Sequence, residues 1–216
     1  MILVPVKNLR DAKQRLATVL EQSSRTQLAQ AMVADVLETL AGWNDRPEVT
    51  VVTSDGFVQE LARSLDFRVM ADENRSETDA IETATHFCAS NGAESTLVIP
   101  GDIPLIEESE LQAIVDAAPL RGSVLVPAGD RRGTNAAYRN PAALFPLRFG
   151  NDSFQPHLRA ARATRLPCVV LSLPGIALDI DNASDLVQLA MAPGQRRSQK
   201  LARQWNVRDY PRAANE

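Results

Sequence analysis

Three aspartates in this chain have the residue type and spacing that can hold a divalent cation. Asp179 and Asp181 lie one residue apart at the end of an apolar stretch, directly before a polar helix start. Two carboxylates on one face of an extended segment repel each other unless a cation lies between them. Asp102 follows the apolar run 96–99 in a similar way. Because hard oxygen ligands suit magnesium, we expect Asp102, Asp179 and Asp181 to bind Mg²⁺ and to serve phosphate chemistry.

Helix capping is the structural alternative for the pair Asp179 and Asp181. Residues 181–185 read Asp-Asn-Ala-Ser-Asp, which resembles a capping box with aspartate in place of glutamate. Asn182 can cap such a helix by itself, which leaves both aspartates for a cation. Asp102 lies close before a proline and has no helix to cap.

Three cations follow the first apolar run, at Lys7, Lys13 and Arg15. The chain contains neither G-x-x-x-x-G-K-[ST] nor G-x-G-x-x-G, so a phosphate site would need other groups. Backbone N–H groups at a strand end, with Lys or Arg beside them, can supply such a site. The alternative is that these cations are ordinary solvated residues.

Two glycine-containing segments are candidates for a second anion site. Gly133 and Gly150 allow backbone N–H groups to face an anion, and Thr134 and Ser153 add hydroxyl donors. A turn followed by a helix cap is the alternative for both segments. His157 lies one helical turn after Ser153, so it either contacts a bound phosphate or carboxylate or supports a residue that does.

The elements that would position these residues alternate between short β-branched runs and longer helical patterns. This alternation predicts an α/β fold, a single doubly wound, mostly parallel sheet with helices on both faces. The expected strands are 2–6, 49–53, 67–70, 96–100, 123–127 and 168–173, and the expected helices are 24–41, 56–65, 78–90, 107–118, 154–163 and 182–191. Such sheets bind ligands at the carboxyl ends of their strands, where Lys7 and Asp102 would lie.

We expect one domain over residues 1–192 and a basic C-terminal tail or terminal helix over 193–216. The chain of 216 residues is 44% hydrophobic, which is enough for one full core. The basic residues of the tail are expected to form a solvated face. Residues 129–152 interrupt the alternation and are expected to be an irregular functional loop.

Composition excludes several classes of partner. The formal net charge of −4 gives no nucleic-acid footprint. No apolar run approaches the roughly 20 residues that span a bilayer, and the first residues are too strand-like for a signal peptide. The two cysteines lack metal-type spacing and are expected to be reduced. We therefore expect a cytoplasmic protein with no nucleic-acid or membrane partner.

Six short motifs occur in order along most of the chain. They are Val-Pro-Val-Lys-x-Leu-x-x-Ala-Lys-x-Arg-Leu (4–16), Val-Val-Thr-Ser-Asp (51–55), Pro-Gly-Asp-Ile-Pro-Leu (100–105), Gly-Thr-Asn (133–135), Phe-Gly-x-x-Ser-Phe-x-x-His (149–157) and Leu-Asp-Ile-Asp-x-x-x-Asp-Leu (178–186). Together they resemble the guanylyltransferases of deazaflavin coenzyme F-420 biosynthesis. That family is related to the molybdenum-cofactor nucleotidyltransferases and has a nucleotide-diphospho-sugar transferase-like fold.

The resemblance implies that GTP donates GMP to a phosphorylated three-carbon acid, which is 2-phospho-L-lactate, phosphoenolpyruvate or 3-phospho-D-glycerate. It implies Mg²⁺ as the cofactor and is compatible with a homo-oligomer. The implied roles are catalysis by Lys7, Lys13, Arg15 and Asp102, nucleotide contacts from Pro5, Val6, Lys7, Lys13, Ser54 and Asp55, acceptor contacts from Thr134, Asn135, Gly150, Ser153 and His157, and metal binding by Asp102, Asp179 and Asp181.

Two segments depart from the family pattern. Where members commonly show Leu-Asn-x-Ala after the third strand, residues 75–81 read Arg-Ser-Glu-Thr-Asp-Ala-Ile. The base and ribose contacts, which we expect in 51–55 and 71–79, therefore cannot be assigned to residues from the family pattern. The usual Pro-Ala-Asp has become Pro-Gly-Asp at 100–102. Glycine there permits a close backbone approach at little steric cost.

Three alternative functions remain open from the sequence. A glycosyltransferase also uses Asp-x-Asp to hold a metal and a nucleotide diphosphate, although its pair normally ends a mid-chain strand. Another metal-dependent nucleotidyltransferase, such as a molybdenum-cofactor enzyme, usually begins with a glycine-rich loop, which 4–16 lacks. A non-catalytic nucleotide-binding protein would be expected to have lost a carboxylate or a cation of the site.

Overall fold

The computed structural model describes residues 1–72, 76–150, 152–205 and 207, and within them the chain forms one seven-stranded sheet. The strands are β1 (Ile2–Pro5), β2 (Val49–Val52), β3 (Arg68–Met70), β4 (Thr96–Val98), β5 (Gly122–Pro127), β6 (Thr134–Asn140) and β7 (Cys168–Val170). Their order across the sheet is β3-β2-β1-β4-β6-β5-β7. Strand β6 runs antiparallel to both its neighbours, and the remaining pairs are parallel. The predicted single, mostly parallel sheet is confirmed.

Eight α-helices in the described part of the chain flank this sheet. They are α1 (Gln22–Gly42), α2 (Gly56–Ser64), α3 (Glu77–Ser90), α4 (Glu108–Asp116), α5 (Phe154–Ala163), α6 (Pro174–Ala177), α7 (Ala183–Met191) and α8 (Arg197–Gln204). All six predicted helices are present, with ends within two residues of the expected ones. No helix among the described residues combines the length and the apolar character needed to cross a bilayer.

Apolar residues cover both faces of the sheet, so the fold has two cores. Along β1, Ile2 and Val4 pack on one face with apolar residues of α1, α2, α4, α7 and α8. Leu3 points to the other face and packs with apolar residues of α3 and α5. This alternation follows from the two-residue period of a strand, and it confirms helices on both faces.

Strand β6 lies inside the segment 129–152 that was expected to be irregular, so that expectation was wrong for residues 134–140. Its sequence, Thr-Asn-Ala-Ala-Tyr-Arg-Asn, lacks a β-branched run. It forms a strand because β4 and β5 lie on either side and satisfy its backbone groups. Because β6 is antiparallel, its first residues lie at the same edge of the sheet as the carboxyl ends of β4 and β5.

The sequence suggested that Asp179 and Asp181 lie at the end of a strand, but the structure places them in a loop. Helix α6 precedes it, and residues 178–181 have no regular secondary structure. Ile180 is fully buried between the two aspartates, and its N–H donates to the Asp102 carbonyl at 3.1 Å. The alternation of buried and site-facing residues is therefore retained in an extended loop.

The basic side chains of Arg197 and Lys200 in the tail are exposed, as expected, but α8 also has a buried face that a solvated terminal helix would lack. The Asp35 carboxylate on α1 accepts hydrogen bonds from backbone and hydroxyl groups at the start of α8. Ala202 and Val207 are fully buried and belong to the larger core. That core therefore continues past residue 192, while residues 206 and 208–216 of the predicted tail lie outside the described residues.

Strand β1 occupies the position where ligand sites form in sheets of this type. It pairs in parallel with both β2 and β4, so connections leave it toward opposite sides of the sheet. The carboxyl ends of strands at such a switch of direction border a crevice. The loops that follow β1 and β4 carry Lys7, Lys13 and Asp102 into this crevice.

Candidate functional site

Two cavities adjoin each other at this edge of the sheet. The first cavity, of about 700 Å³, is lined mainly by residues that follow β1, β2 and β4. The expected nucleotide residues that line it are Pro5, Val6, Lys7, Lys13 and Ser54. Apolar side chains from α1, including Met32 and Val33, close its floor. The cavity thus combines cations with an apolar surface, as a bound nucleotide requires.

The second cavity, of about 390 Å³, is bordered by the loops around β6 and the start of α5. Of the expected acceptor residues, Thr134, Asn135, Gly150 and Ser153 line it. Gly150 has a φ of +135°, which other residues rarely adopt, so glycine is required there for conformational reasons. The structure therefore separates the two predicted groups of residues into two cavities.

One wall belongs to both cavities. It consists of Arg15, Glu77, Pro100, Asp102 and Asp181, each of which lines the first and the second cavity. The wall carries three acidic groups and one guanidinium. A group bound in one cavity would meet a group bound in the other at this wall.

Lys13 lies between two of the predicted metal ligands. Its ammonium Nζ is 2.8 Å from Asp102 Oδ2 and 2.9 Å from Asp181 Oδ1, and its side chain is 9% exposed. Burial alone would lower the pKa of Lys13, but the two carboxylates outweigh it and raise this pKa above its usual value. Arg15 Nη1 lies 3.3 Å from Asp181 Oδ2. These carboxylate oxygens thus converge on a cation that the chain itself supplies.

Asp179 is held by Asn135, which was expected to contact the acceptor. The Asn135 side-chain amide donates to Asp179 Oδ1 at 3.0 Å and to the Ile176 carbonyl at 3.0 Å. Both amide protons are thereby used, so Asn135 can offer only its oxygen to a ligand. Burial raises the pKa of the Asp179 carboxyl above its ordinary value. The structure thus gives Asn135 a positioning role for Asp179.

The residues that follow Asp181, rather than Asp179 and Asp181 themselves, supply the side chains that cap α7. Asn182 Oδ1 accepts from Ser184 N at 2.8 Å and caps α7. The carboxylate of Asp185 accepts in return from the backbone N–H groups of residues 181 and 182. The capping box is therefore complete without the side chains of Asp179 and Asp181.

Ser153, Thr134 and His157 form a buried cluster beside the second cavity. The Thr134 N–H donates to Ser153 Oγ at 3.1 Å, and His157 Nδ1 lies 2.9 Å from Thr134 Oγ1. His157 is 1% exposed and contacts Thr134, whereas Thr134 and Ser153 themselves line the cavity. His157 is therefore connected to the second cavity through Thr134 and is not one of the residues that line it.

Asp55 was expected to contact the nucleotide, but both its oxygens accept backbone hydrogen bonds. Oδ1 accepts from Val58 N at 3.2 Å and caps α2, and Oδ2 accepts from Leu9 N at 2.9 Å. Leu9 lies in the loop between β1 and Lys13. Asp55 therefore fixes this loop to α2, and its neighbour Ser54 lines the cavity instead.

Gly101 shows the close approach that the sequence indicated. A Cβ at this position would lie 3.0 Å from Val6 Cγ2 and 3.1 Å from Val33 Cγ2. Those distances are tighter than ordinary van der Waals contact. The glycine lets the loop after β4 pack directly on the loop after β1, which brings Asp102 toward Lys13.

Glu77 lies within the segment 71–79 that was expected to contact the nucleotide, but the sequence did not single it out. It begins α3 and belongs to the wall shared by both cavities. Burial, with a smaller contribution from Asp102, raises the pKa of the Glu77 carboxyl to about 7. Its place after the end of β3, in a segment that departs from the family pattern, was the available signal.

The same segment also supports the second cavity. Thr78 Oγ1 accepts a hydrogen bond from Phe149 N at 3.0 Å, beside Gly150. At the start of α3, Glu77 therefore lines both cavities, and Thr78 holds the backbone of Phe149 at the second cavity. Residues 73–75 of the segment expected to hold base and ribose contacts lie outside the described residues.

Comparison with known families places this chain. A family model described as "Guanylyl transferase CofC like" matches residues 1–214. This chain belongs to the CofC-like guanylyl transferase family. The membership confirms the predicted resemblance and the nucleotidyltransferase class, and it argues against the glycosyltransferase alternative.

Curated relatives of this CofC-like chain differ in the acceptor that their names give. The phosphoenolpyruvate guanylyltransferase of Roseiflexus sp. (strain RS-1) is 34% identical, with 93% of this chain and 89% of the relative covered. The 2-phospho-L-lactate guanylyltransferase of Methanothermobacter thermautotrophicus is 34% identical, covering 88% and 83%. The 3-phospho-D-glycerate guanylyltransferase of Colwellia psychrerythraea is 31% identical, covering 88% and 90%.

Solved structures agree on the fold. A putative nucleotide-diphospho-sugar transferase from Desulfovibrio desulfuricans G20 superposes with a TM-score of 0.80 at 20% identity, covering 97% of this chain and 96% of that one. At this identity the likeness establishes the architecture alone, and it agrees with the fold expected from the resemblance.

Proposed function

We propose that this protein transfers GMP from GTP to a phosphorylated three-carbon acid, with release of pyrophosphate, in deazaflavin coenzyme F-420 biosynthesis. The observation that carries the proposal is the pair of cavities with a shared wall of Asp102, Asp181, Glu77 and Arg15. Nucleotidyl transfer needs two polyanions to meet, and this arrangement gives each its own space and one common boundary. The three acids named for the curated relatives are the candidate acceptors.

The first cavity suits the donor. Lys7, Lys13 and Arg15 face it and would neutralise the triphosphate and the departing pyrophosphate. The apolar floor would pack against the base or ribose. A site that hydrogen-bonds the guanine amino group and ring N–H would reject adenine, because its polar groups would be left unpaired. We therefore expect a clear preference for GTP over ATP.

The second cavity suits the acceptor. Such an acid carries a phosphate and a carboxylate, and both need hydrogen-bond donors. Thr134, Ser153 and Gly150 line the cavity; the Thr134 hydroxyl and the backbone at Gly150 can supply such donors, and Ser153 supports Thr134. Asn135 lines it as well, with its amide already bonded to Asp179.

The reaction itself asks for charge stabilisation rather than proton transfer. An oxygen of the acceptor phosphate forms a bond to the α-phosphorus of GTP, and the bond between that phosphorus and the pyrophosphate oxygen breaks. A phosphate monoester is already largely ionised at neutral pH, so no general base is required. The chain's contribution is to hold both polyanions at the shared wall and to offset their charge with Arg15 and the lysines.

Magnesium is the cofactor that we propose for Asp102, Asp179 and Asp181. No three acidic, histidine or cysteine side chains in the described ranges are grouped tightly enough to hold a metal ion as they stand. Asp102 and Asp181 nevertheless converge on one cation, the Lys13 ammonium, and Asp179 lines the adjoining cavity. Their hard oxygens are the ligands magnesium prefers. Bound Mg²⁺ would offset phosphate charge and orient both substrates.

A direct assay tests the proposal. Purified protein is mixed with GTP or ATP, magnesium and each of the three acids, and pyrophosphate release and the mass of the product are measured. We expect pyrophosphate and a GMP–acid conjugate with at least one acid, and much less product with ATP. Equal use of ATP and GTP, or no conjugate with any of the three acids, would contradict the proposal. Because GTP and these acids are metabolites of the cell interior, we also propose a cytoplasmic location.

A further inference from the structure

The hydrogen bonds around His157 fix which of its ring nitrogens carries the proton. The Arg148 backbone N–H donates to His157 Nε2 at 2.8 Å. That nitrogen must therefore hold a lone pair, and the proton of the neutral ring lies on Nδ1. Nδ1 is 2.9 Å from Thr134 Oγ1, so it donates to the threonine hydroxyl.

A protonated ring would break this arrangement. In imidazolium both nitrogens carry protons, and the Nε2 proton would face the Arg148 N–H. Burial, with a further contribution from Arg139, lowers the pKa of His157 to about 4, which agrees with a neutral ring. The T-shaped contact with Phe149, with ring centroids 5.3 Å apart, holds the ring in place.

The hydroxyl of Thr134 then has one hydrogen bond left to make, in which it donates its proton. A threonine oxygen can accept two hydrogen bonds and donate one. His157 Nδ1 donates to it, and the Ser153 hydroxyl lies 3.4 Å away, where it can occupy the second lone pair. Ser153 itself already accepts from the Thr134 N–H at 3.1 Å. The Thr134 hydroxyl proton is thereby left to donate toward the second cavity, which Thr134 lines.

We propose that His157 is a positioning residue that sets the Thr134 hydroxyl as a fixed hydrogen-bond donor for the anionic acceptor. A free hydroxyl could rotate and present a lone pair, which repels an anion. With both lone pairs occupied, the hydroxyl presents only its proton. This inference rests on the proposed function for the identity of the bound anion, but not for the hydrogen-bond pattern.

Two substitutions separate the two nitrogens of the ring. Asparagine places an amide near the position of Nδ1, so His157→Asn keeps a donor beside Thr134 and loses the partner of Arg148. Glutamine reaches the position of Nε2, so His157→Gln keeps an acceptor for Arg148 and loses the donor beside Thr134. A residue that only stabilises the fold would give no reason for these two variants to differ in acceptor KM.

Steady-state kinetics with the acceptor and GTP varied in turn test the proposal. We expect His157→Gln to raise the acceptor KM about tenfold, because the Thr134 hydroxyl is then no longer held as a donor to the charged acceptor. The GTP KM should change by less than about twofold, and His157→Asn should recover most of the loss. In a Thr134→Val background, which lacks the hydroxyl, His157→Gln should add nothing further. Equal losses in the two histidine variants, a parallel rise in GTP KM, or an undiminished effect in the Thr134→Val background would overturn the proposal.

Nitrogen-15 NMR of the histidine rings tests the structural half without an assay. The chain has only two histidines, so a His86→Gln variant leaves one ring to observe. We expect a protonated Nδ1 and a bare Nε2 at neutral pH. A proton on Nε2 would overturn the inference even if guanylyl transfer is confirmed. If no acid is a substrate but the tautomer is as expected, the proposed function fails while the hydrogen-bond assignment stands.

Discussion

The two cavities differ in the kind of interaction that builds them. Beside the exposed ion pair of Arg132 and Asp152, the second cavity is bordered by neutral polar side chains that are buried and already bonded, such as Thr134, Asn135 and Ser153. The first cavity and the shared wall depend on ions, such as Lys13 between Asp102 and Asp181. Neutral hydrogen bonds with fixed partners need no counter-ion, whereas ion pairs change when another charge arrives. One side of the site is therefore preorganised, and the other has charges that depend on what is bound.

This difference teaches where each kind of perturbation should act. Changes in the neutral cluster of Thr134, Ser153 and His157 should alter acceptor binding and leave the response to pH and metal nearly unchanged. Changes in the shared wall and at Lys13 should alter the rate of guanylyl transfer, the affinity for metal and the pH dependence of stability. Two substitutions in the shared wall and one at Lys13, which bonds to its carboxylates, test that division, and the histidine variants described above test the neutral side.

The largest effect is expected for Asp102→Asn. This change removes a carboxylate charge from the boundary where the two polyanions meet, with almost no change in volume. We expect the rate of guanylyl transfer to fall about a hundredfold or more. Lys13 retains Asp181 as a partner, so the thermal midpoint should change little. Pyrophosphate release at saturating magnesium measures the rate.

The matched control is Asp116→Asn, which makes the same chemical change at an exposed position at the end of α4. It should keep the full rate. If Asp102→Asn keeps near wild-type turnover at saturating magnesium, the shared wall is not the place of reaction.

An intermediate effect is expected for Glu77→Gln on the pH dependence of stability. The pKa of Glu77 is raised from 4.5 to about 7 in the folded protein, so the folded state binds this proton more tightly than the unfolded state. The wild type therefore loses stability relative to the glutamine variant as pH rises from about 4.5 to about 7. We expect the difference to move in favour of the variant by about 1 to 3 kcal/mol over this range.

Chemical unfolding of metal-free protein at about pH 5 and about pH 8 measures this shift. Glu60→Gln, at an exposed position on α2, is the control and should give no such trend. The stability difference between Glu77→Gln and the wild type could instead stay constant with pH. That result would show that the folded protein does not raise the pKa of Glu77.

The sequence predicted most of the fold because its signals are local. Strands such as β1 and β5 are apolar runs, and helices such as α1 carry an apolar stripe at every fourth residue. Strand β6 has no such run, and it forms only because two other strands supply its partners. The buried contacts of α8 with Asp35 likewise depend on a residue more than 160 positions away, so the basic tail resembled a solvated helix.

The candidate site was also predicted in part, because some of its features are local and others depend on distant residues. Motif residues such as Lys13, Asp102 and Thr134 could be found from residue type and spacing. Their couplings could not, because Asn135 meets Asp179 at a separation of 44 residues and Lys13 meets Asp181 at 168. Asp55 shows the converse: a conspicuous carboxylate after a strand can be fully used by backbone N–H groups.

The smallest effect, and the most direct test of the ionic wall, is expected for Lys13→Met in the absence of nucleotide. The Lys13 ammonium offsets the repulsion between Asp102 and Asp181, and a divalent cation that binds these carboxylates must compete with it. Methionine keeps much of the apolar stem and removes the charge. We therefore expect nucleotide-free Lys13→Met to bind Mn²⁺, a spectroscopic substitute for magnesium, about tenfold more tightly, which corresponds to about 1.4 kcal/mol. Electron paramagnetic resonance of free Mn²⁺ measures the affinity, and excess Mg²⁺ should displace the ion. Lys200→Met, on the exposed side of α8, is the control and should bind as the wild type does. If Lys13→Met binds Mn²⁺ no more tightly than the wild type, Lys13 does not compete for the carboxylates, and the wall would be as preorganised as the acceptor side.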